Sequence, residues 1–499
     1  MQKTLVATIL GFGSVSAHAG EPVIPQFTDE TNAAGVGRTH TSSEDITFEM
    51  QVMTPGMAAG DFNGDGWIDL FIPGGVGQNA ALFINNGQAD EPGFTDRADQ
   101  WGIDMTAVAG TFATVGDVNR DGHLDVYAGT LFARNYLYIN TGNGSFDEAA
   151  FENNVAMEAG PNQSDFVECT FGATFGDFDL DGDLDLYACS WMPVPEGNAM
   201  FVNDGTGMFD EQTTATGLTS RIGSLRAFSP TFVDLNGDRY PELPIAADFG
   251  TSRYYVNDTN GAFTELTNNG TGTDENGMGS TFGDYDNDGD LDWFVTSIYD
   301  DDGNAEGNWG ITGNRLYRND GSDQYTDVTD EAGVRNGYWG WGASFGDLNN
   351  DGLLDLTMTN GWITPPEWGT QDPTFVTDPT RVWVNDGELD GPDDSLYQEV
   401  ALQAGVNHTA SGKGLILFDY DNDGDLDLAI TSNRDKFLLF RNNTPVDPNR
   451  WIEFDLVPPD GNAPLGIGAR VTVTVNGESR MRVLHAGTNY MSQNPPRLH

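Results

Sequence analysis

The sequence predicts an all-β chain: a seven-bladed β-propeller followed by a small C-terminal β domain. Three observations carry that expectation. An acidic pattern, D-x-[DN]-x-D-G-x-x-D, recurs seven times at intervals of tens of residues, the signature of a repeat architecture. Each copy lies between two short apolar stretches of strand character, with two more strands after it and Gly and Asn at the turns, as in a propeller blade. The seventh copy lacks its last strand, and a matching segment, FTDETNAAGV (27–36), stands ahead of the first copy.

The clearest copy is GDYDNDGDLDW, Gly283 to Trp293. Asp284, Asp286 and Asp288 alternate, Gly289 permits a sharp turn, the backbone carbonyl of Asp290 faces inward, and Asp292 closes the shell. Such a loop wraps a hard cation. Calcium takes six to eight oxygens at about 2.3–2.6 Å, whereas softer metals want the His or Cys that this loop lacks. An EF-hand would continue to a Glu at its twelfth position and a helix; here WFVTSI reads as a strand.

The other copies are Asp61, Asn63, Asp65, Asp69; Asp117, Asn119, Asp121, Asp125; Asp177, Asp179, Asp181, Asp185; Asp234, Asn236, Asp238, Glu242; Asp347, Asn349, Asp351, Asp355; and Asp419, Asp421, Asp423, Asp427. Carbonyl donors at the seventh position would be Trp67, His123, Asp183, Leu353 and Asp425. Up to seven calcium ions are expected. The bland alternative, acidic turns without an ion, leaves carboxylates facing one another. The fourth copy is degenerate: Arg239 replaces the turn glycine and Pro241 precedes Glu242.

The 499 residues hold 77 Asp and Glu against 22 Lys and Arg, a formal charge of −55, which excludes nucleic-acid binding as the default. Hydrophobic residues at 38% argue against disorder. Lys3, the apolar run from Leu5 to Val15 and the A-x-A site at Ala17–Ala19 read as a signal peptide over residues 1–19, so export to the periplasm, cell surface or medium is expected. No membrane span is expected. The two cysteines, Cys169 and Cys189, flank the third loop. Hairpin register sets them about 13 Å apart, too far for a bridge, although an oxidising compartment would favour one.

In chain order, the third strands read LFINNG, YLYINTG, MFVNDG, YYVNDTNG, RLYRNDG, RVWVNDG and KFLLFRNN. The propeller is expected over 27–444, with the N-terminal segment completing the last blade and closing the ring, which removes exposed strand edges. A linker containing Pro445 and Pro448 opens the C-terminal part (445–499), where WIEFDLV, GIGARVTVTVNG and SRMRVLHAG alternate apolar and polar residues.

At this point the residues resemble a known pairing. The blades resemble FG-GAP (VCBS-type) repeats, best known from integrin α-subunit propellers. Asn449-Arg450-Trp451, Gly466-Ile467-Gly468-Ala469-Arg470-Val471, Tyr490-Met491-Ser492-Gln493 and Arg497-Leu498-His499 resemble the ASPIC/UnbV domain. The combination is similar to cartilage acidic protein-like and UnbV-like secreted proteins. Those relatives continue past Leu-His into Phe-Gly-Leu-Gly, where this sequence stops, so a final strand of the family is expected to be missing. The resemblance implies calcium-bound propellers used for binding or adhesion. No catalytic residue carries over.

The acidic loops should share one face of the ring, and the loops joining second to third strands the other. Trp191, Trp309, Tyr338, Trp339, Trp362 and Trp368 fall on that other face and are the candidate contacts for a glycan or protein. The competing expectation is that such rings pack between blades, as Trp341 is expected to do. No nucleophile elbow, phosphate loop or His-metal spacing is present. A binding or adhesion module is therefore the leading expectation. The alternatives are an enzyme or accessory protein acting on a polysaccharide or secondary metabolite, since two carboxylates suffice for glycoside hydrolysis, and a scaffold subunit of an exported complex.

Overall fold

The computed structural model describes residues 22–41, 49–89, 91–157, 169–192, 197–218, 225–300, 310–363, 375–387, 395–445, 451–459, 461–487 and 489–499, with the backbone alone of 6–8. Seven antiparallel sheets form the blades of a propeller. Blade two shows the pattern. Its strands are Ala109–Gly116, Asp125–Leu131, Tyr136–Asn140 and Phe146–Glu148, with Gly116 opposite Asp125, so the acidic loop spans the first hairpin.

Blade seven takes three strands from the end of the array, Gly412–Phe418, Asp427–Ser432 and Leu438–Asn442. Its fourth is Phe27–Asp29, antiparallel with Phe27 opposite Asn442. The ring is thus closed by joining both ends of the repeat in one sheet. Apolar clusters fill the seams between consecutive blades. Ile416, Phe418 and Leu439 of blade seven meet Leu70, Ile72 and Phe83 of blade one, and Trp293 and Tyr317 of blade five meet Tyr254 of blade four.

The C-terminal part packs against the ring and into it. A hairpin, Arg470–Val475 with Glu478–Val483, lies at the acidic-loop face. Arg470 Nη2 donates there to Asp234 O (3.3 Å), and Arg497 Nη2 to Gly66 O (3.2 Å). The chain then enters the central channel as a finger. Ala486–Gly487 pairs antiparallel with the inner strand of blade three, and Ser492–Gln493 pairs parallel with that of blade one.

Backbone and side-chain groups of the finger reach other blades around the axis. Asn489 O accepts from Ser280 N of blade five (2.9 Å) and its Nδ2 donates to Leu415 O of blade seven (2.8 Å). Gln493 Oε1 accepts from Val115 N of blade two (2.8 Å), and Asn494 Nδ2 reaches Ser344 Oγ of blade six (2.9 Å). A Cβ on Gly56 would fall 1.8 Å from the Met491 carbonyl oxygen, so glycine is required where finger and blade one meet. The inner strands of a propeller present unpaired edges to the axis, and the finger pairs with those of blades one and three.

Cys169 and Cys189 are buried as separate thiols, and Cys189 pairs with Gly172, three residues beyond Cys169. Among the described residues no helix is long and apolar enough to cross a membrane.

Candidate cation loops

All seven loops adopt one backbone shape. The fourth and sixth positions are left-handed throughout. Glycine takes the sixth position six times, and in blade four Arg239 adopts φ +84° in its place. The degenerate sequence thus keeps the geometry despite the cost of a Cβ in that region. The first Asp accepts from the sixth-position N–H in every loop, as in Gly66 to Asp61 (2.7 Å) and Arg239 to Asp234 (3.1 Å). The fifth-position carboxylate accepts from the seventh-position N–H, as in Trp67 to Asp65 and Leu353 to Asp351 (both 2.9 Å). These bonds curl each loop around one centre.

In three loops the first, third and ninth carboxylates converge. One oxygen each from Asp177, Asp179 and Asp185, from Asp284, Asp286 and Asp292, and from Asp419, Asp421 and Asp427 lie within 4.8 Å of one another. The fifth-position residues Asp181, Asp288 and Asp423 stand outside these groups. The other four loops carry Asn at the third position, Asn63, Asn119, Asn236 and Asn349, which offers a neutral oxygen instead.

Burial makes these acids poor anions on their own. It pushes Asp69 and Asp125 up to about 8 and Asp292 and Glu242 to about 9. It also carries Asp185, Asp355 and Asp427 well above the usual carboxylate range. Among the described residues, Asp177 Oδ1, Asp185 Oδ2 and Asp421 Oδ1 are buried with no hydrogen-bond partner. Buried polar atoms are nearly always paired, and an all-oxygen set with orphaned carboxylate atoms fits a hard divalent cation. In blade seven a side chain supplies part of the positive charge: Arg441 Nη2 lies 2.5 Å from Asp421 Oδ2 and 3.0 Å from Asp423 Oδ2.

The ninth-position acid is also a structural hub. Asp69 Oδ2 accepts from Phe62 N (3.0 Å) and its Oδ1 from Asn85 N (2.7 Å). That asparagine, repeated in every third strand, is a residue whose role the sequence did not disclose. Its Nδ2 donates to the second loop residue of the preceding blade at all seven seams. Asn85 reaches Tyr420 O (2.7 Å), Asn140 Phe62 O (2.9 Å), Asn203 Val118 O (2.8 Å) and Asn257 Phe178 O (2.7 Å). Asn319 reaches Leu235 O (2.9 Å), Asn385 Tyr285 O (3.0 Å) and Asn442 Leu348 O (2.8 Å). The N in each of the third-strand signatures was the available signal.

The expected aromatic contact surface is corrected in part. Trp191, Trp339 and Trp362 are 7%, 5% and 4% exposed. Trp339 and Trp362 stack at 4.4 Å and 4° between planes, and Trp341 abuts Tyr490 of the finger at 5.0 Å. The physical reason is position. Trp339 leads into the inner strand Gly340–Gly346 and Trp362 follows Asp355–Asn360, so both rings turn toward the axis that the finger fills. Trp191 donates Nε1–H to Asp248 Oδ2 (2.9 Å). Tyr338 is half-buried beneath Arg381, 4.9 Å from its ring centre. Trp309 and Trp368 lie outside the described residues. The exposed aromatic ring beside Trp191 is Phe249, which the sequence did not single out.

A family model described as FG-GAP-like repeat matches residues 61–128, 117–188, 177–245 and 234–295, and one described as ASPIC and UnbV matches 459–499. The protein is an FG-GAP repeat β-propeller with a C-terminal ASPIC/UnbV domain. The repeat match ends in blade five, and the structure adds blades six and seven. No curated protein matches the chain. Among solved structures it is similar to an Agrocybe aegerita lectin that recognises non-reducing terminal N-acetylglucosamine, at 14% identity and TM-score 0.41 over 78% of this chain and 89% of that one. It is also similar to Saccharomyces cerevisiae Sqt1, at 12% and 0.40 over 81% and 98%. A third is the exotype rhamnogalacturonan lyase YesX, at 11% and 0.39 over 84% and 75%. Likeness at this level bears on neither ligand nor activity.

Proposed function

We propose that the protein is an exported, calcium-loaded propeller that works as a binding or adhesion module for a glycan or protein partner. The observation that carries the calcium is the set of buried, unpartnered carboxylate oxygens in converging acidic loops, Asp177 and Asp185 in blade three and Asp421 in blade seven. Residues 1–19 would direct export, and extracellular calcium suits sites of this kind. All seven loops share the backbone shape and would accept an ion, with the Asp234 loop the weakest. The finger occupies the axis and the hairpin covers part of the acidic face, which leaves the opposite face, where Phe249 stands 56% exposed, for a partner.

Calorimetry with and without a chelator tests the calcium reading. Each site a hundredfold above its Kd adds about 2.7 kcal/mol, so chelation should lower the Tm steeply, with calcium restoring it better than magnesium. A Tm indifferent to chelation would sink the calcium reading. A glycan array probed with the calcium-loaded protein tests the module: saturable binding without turnover supports it, and release of reducing ends from an acidic-glycan panel would replace it with an enzyme.

A further inference from the structure

We propose that the seven buried asparagines couple neighbouring loops, so that a cation held in one loop raises the affinity of the next; this rests on the calcium reading above. Asn385 of blade six shows the geometry. Its backbone N–H donates to Asp355 Oδ1 (2.9 Å), fixing the ninth-position carboxylate of its own loop. Its Nδ2 donates to Leu354 O (3.3 Å), the residue before that carboxylate, and to Tyr285 O (3.0 Å), the second residue of blade five's loop. Tyr285 in turn donates its N–H to Asp292 Oδ2 (3.2 Å), the ninth-position carboxylate of blade five.

One side chain therefore ties the exit of one loop to the entrance of the other, and the peptide groups on either side hold both carboxylates. Asn385 is 1% exposed and its Oδ1 accepts from Gly387 N (2.9 Å). A buried amide with every polar group engaged cannot shift without leaving a group unpaired. When a cation draws Asp355 inward, the strain passes through Asn385 to Tyr285 and Asp292 along a contiguous hydrogen-bonded path, one physical route by which two sites couple. The path recurs around the ring. It is interrupted in blade three, where Asp185 Oδ2 has no partner among the described residues, so coupling is weakest across the seam between blades three and four.

Calcium titration calorimetry on the full mature chain tests this. The wild type should bind with a Hill coefficient above 1. Asn385→Ser, which removes no ligand, should lower that coefficient and weaken two sites about fivefold, the loss expected for one hydrogen bond. Asp286→Ala, which disables the loop of blade five alone, should cost more than one bound ion at subsaturating calcium, and it decides the matter if Asn385→Ser does not fold. Loss of a single ion with the remaining sites unchanged overturns the coupling and leaves the calcium reading standing. A wild type that binds no calcium overturns both.

Discussion

Tyr490 tests whether the C-terminal finger is part of the propeller's cooperative unit. Its ring is fully buried, 5.4 Å from Phe228 of blade four and 5.0 Å from Trp341 of blade six, and its hydroxyl donates to Met53 O at 2.9 Å. Truncating a buried aromatic ring costs about 3–5 kcal/mol through lost burial and an unfilled cavity. Removing the hydroxyl alone leaves a buried carbonyl short of a donor and costs about 1–2 kcal/mol. Unfolding entropy scales at about 2.1 cal/mol/K per residue, or about 1 kcal/mol/K for a unit of this length. Tyr490→Ala should therefore lower the Tm of the whole calcium-loaded chain by about 3–5 °C, and Tyr490→Phe by about 1–2 °C. Scanning calorimetry reads both. If Tyr490→Ala leaves the main transition in place and moves only a small separate one, the finger is an appendage and the packing argument is wrong.

Trp362→Ala should cost about 3–5 kcal/mol by opening the stack with Trp339, read as a lower urea midpoint with an unchanged slope; an unaffected midpoint would return Trp362 to the surface. Lys413 is fully buried, with Nζ 3.8 Å from the Trp341 ring centre and donating to Gly361 O (2.9 Å), and burial pulls its pKa well below 10.5. The unfolded chain keeps that proton up to about pH 10.5 while the folded chain releases it earlier, so stability rises with pH across the window between the two values. Lys413→Met should flatten the rise, and parallel wild-type and mutant curves of stability against pH would refute the assignment. Deleting residues 27–36 reopens the blade seven edge and removes buried Phe27, which alone is worth about 3 kcal/mol or more; an unchanged Tm would contradict closure of the ring by that strand.

The ring was legible because repetition amplifies weak local signals. One acidic loop before a short strand says little, but seven repeats of the same blade fix blade number, loop placement and the use of the segment at Phe27 as the last blade's fourth strand. The finger was not legible. The motif from Tyr490 to Gln493 has no strand periodicity of its own, and its placement depends on single contacts such as Gln493 with Val115 that no local pattern encodes. The tryptophans misled for a related reason. Position between strands suggested open loops, yet Trp339 and Trp362 stand at strand ends that point to a filled axis. The asparagines were visible as a repeated letter, but a donor aimed at the adjacent blade is a property of the closed ring and not of the segment.

Metal content of the purified chain tests the central claim most directly. After equilibrium dialysis against buffer holding about 1 mM calcium and excess magnesium, metal analysis of protein against dialysate should find at least three calcium ions per chain, the number of loops in which three carboxylates converge, and up to seven. Fewer than three, or magnesium in their place, would contradict the account and leave these loops as acidic turns.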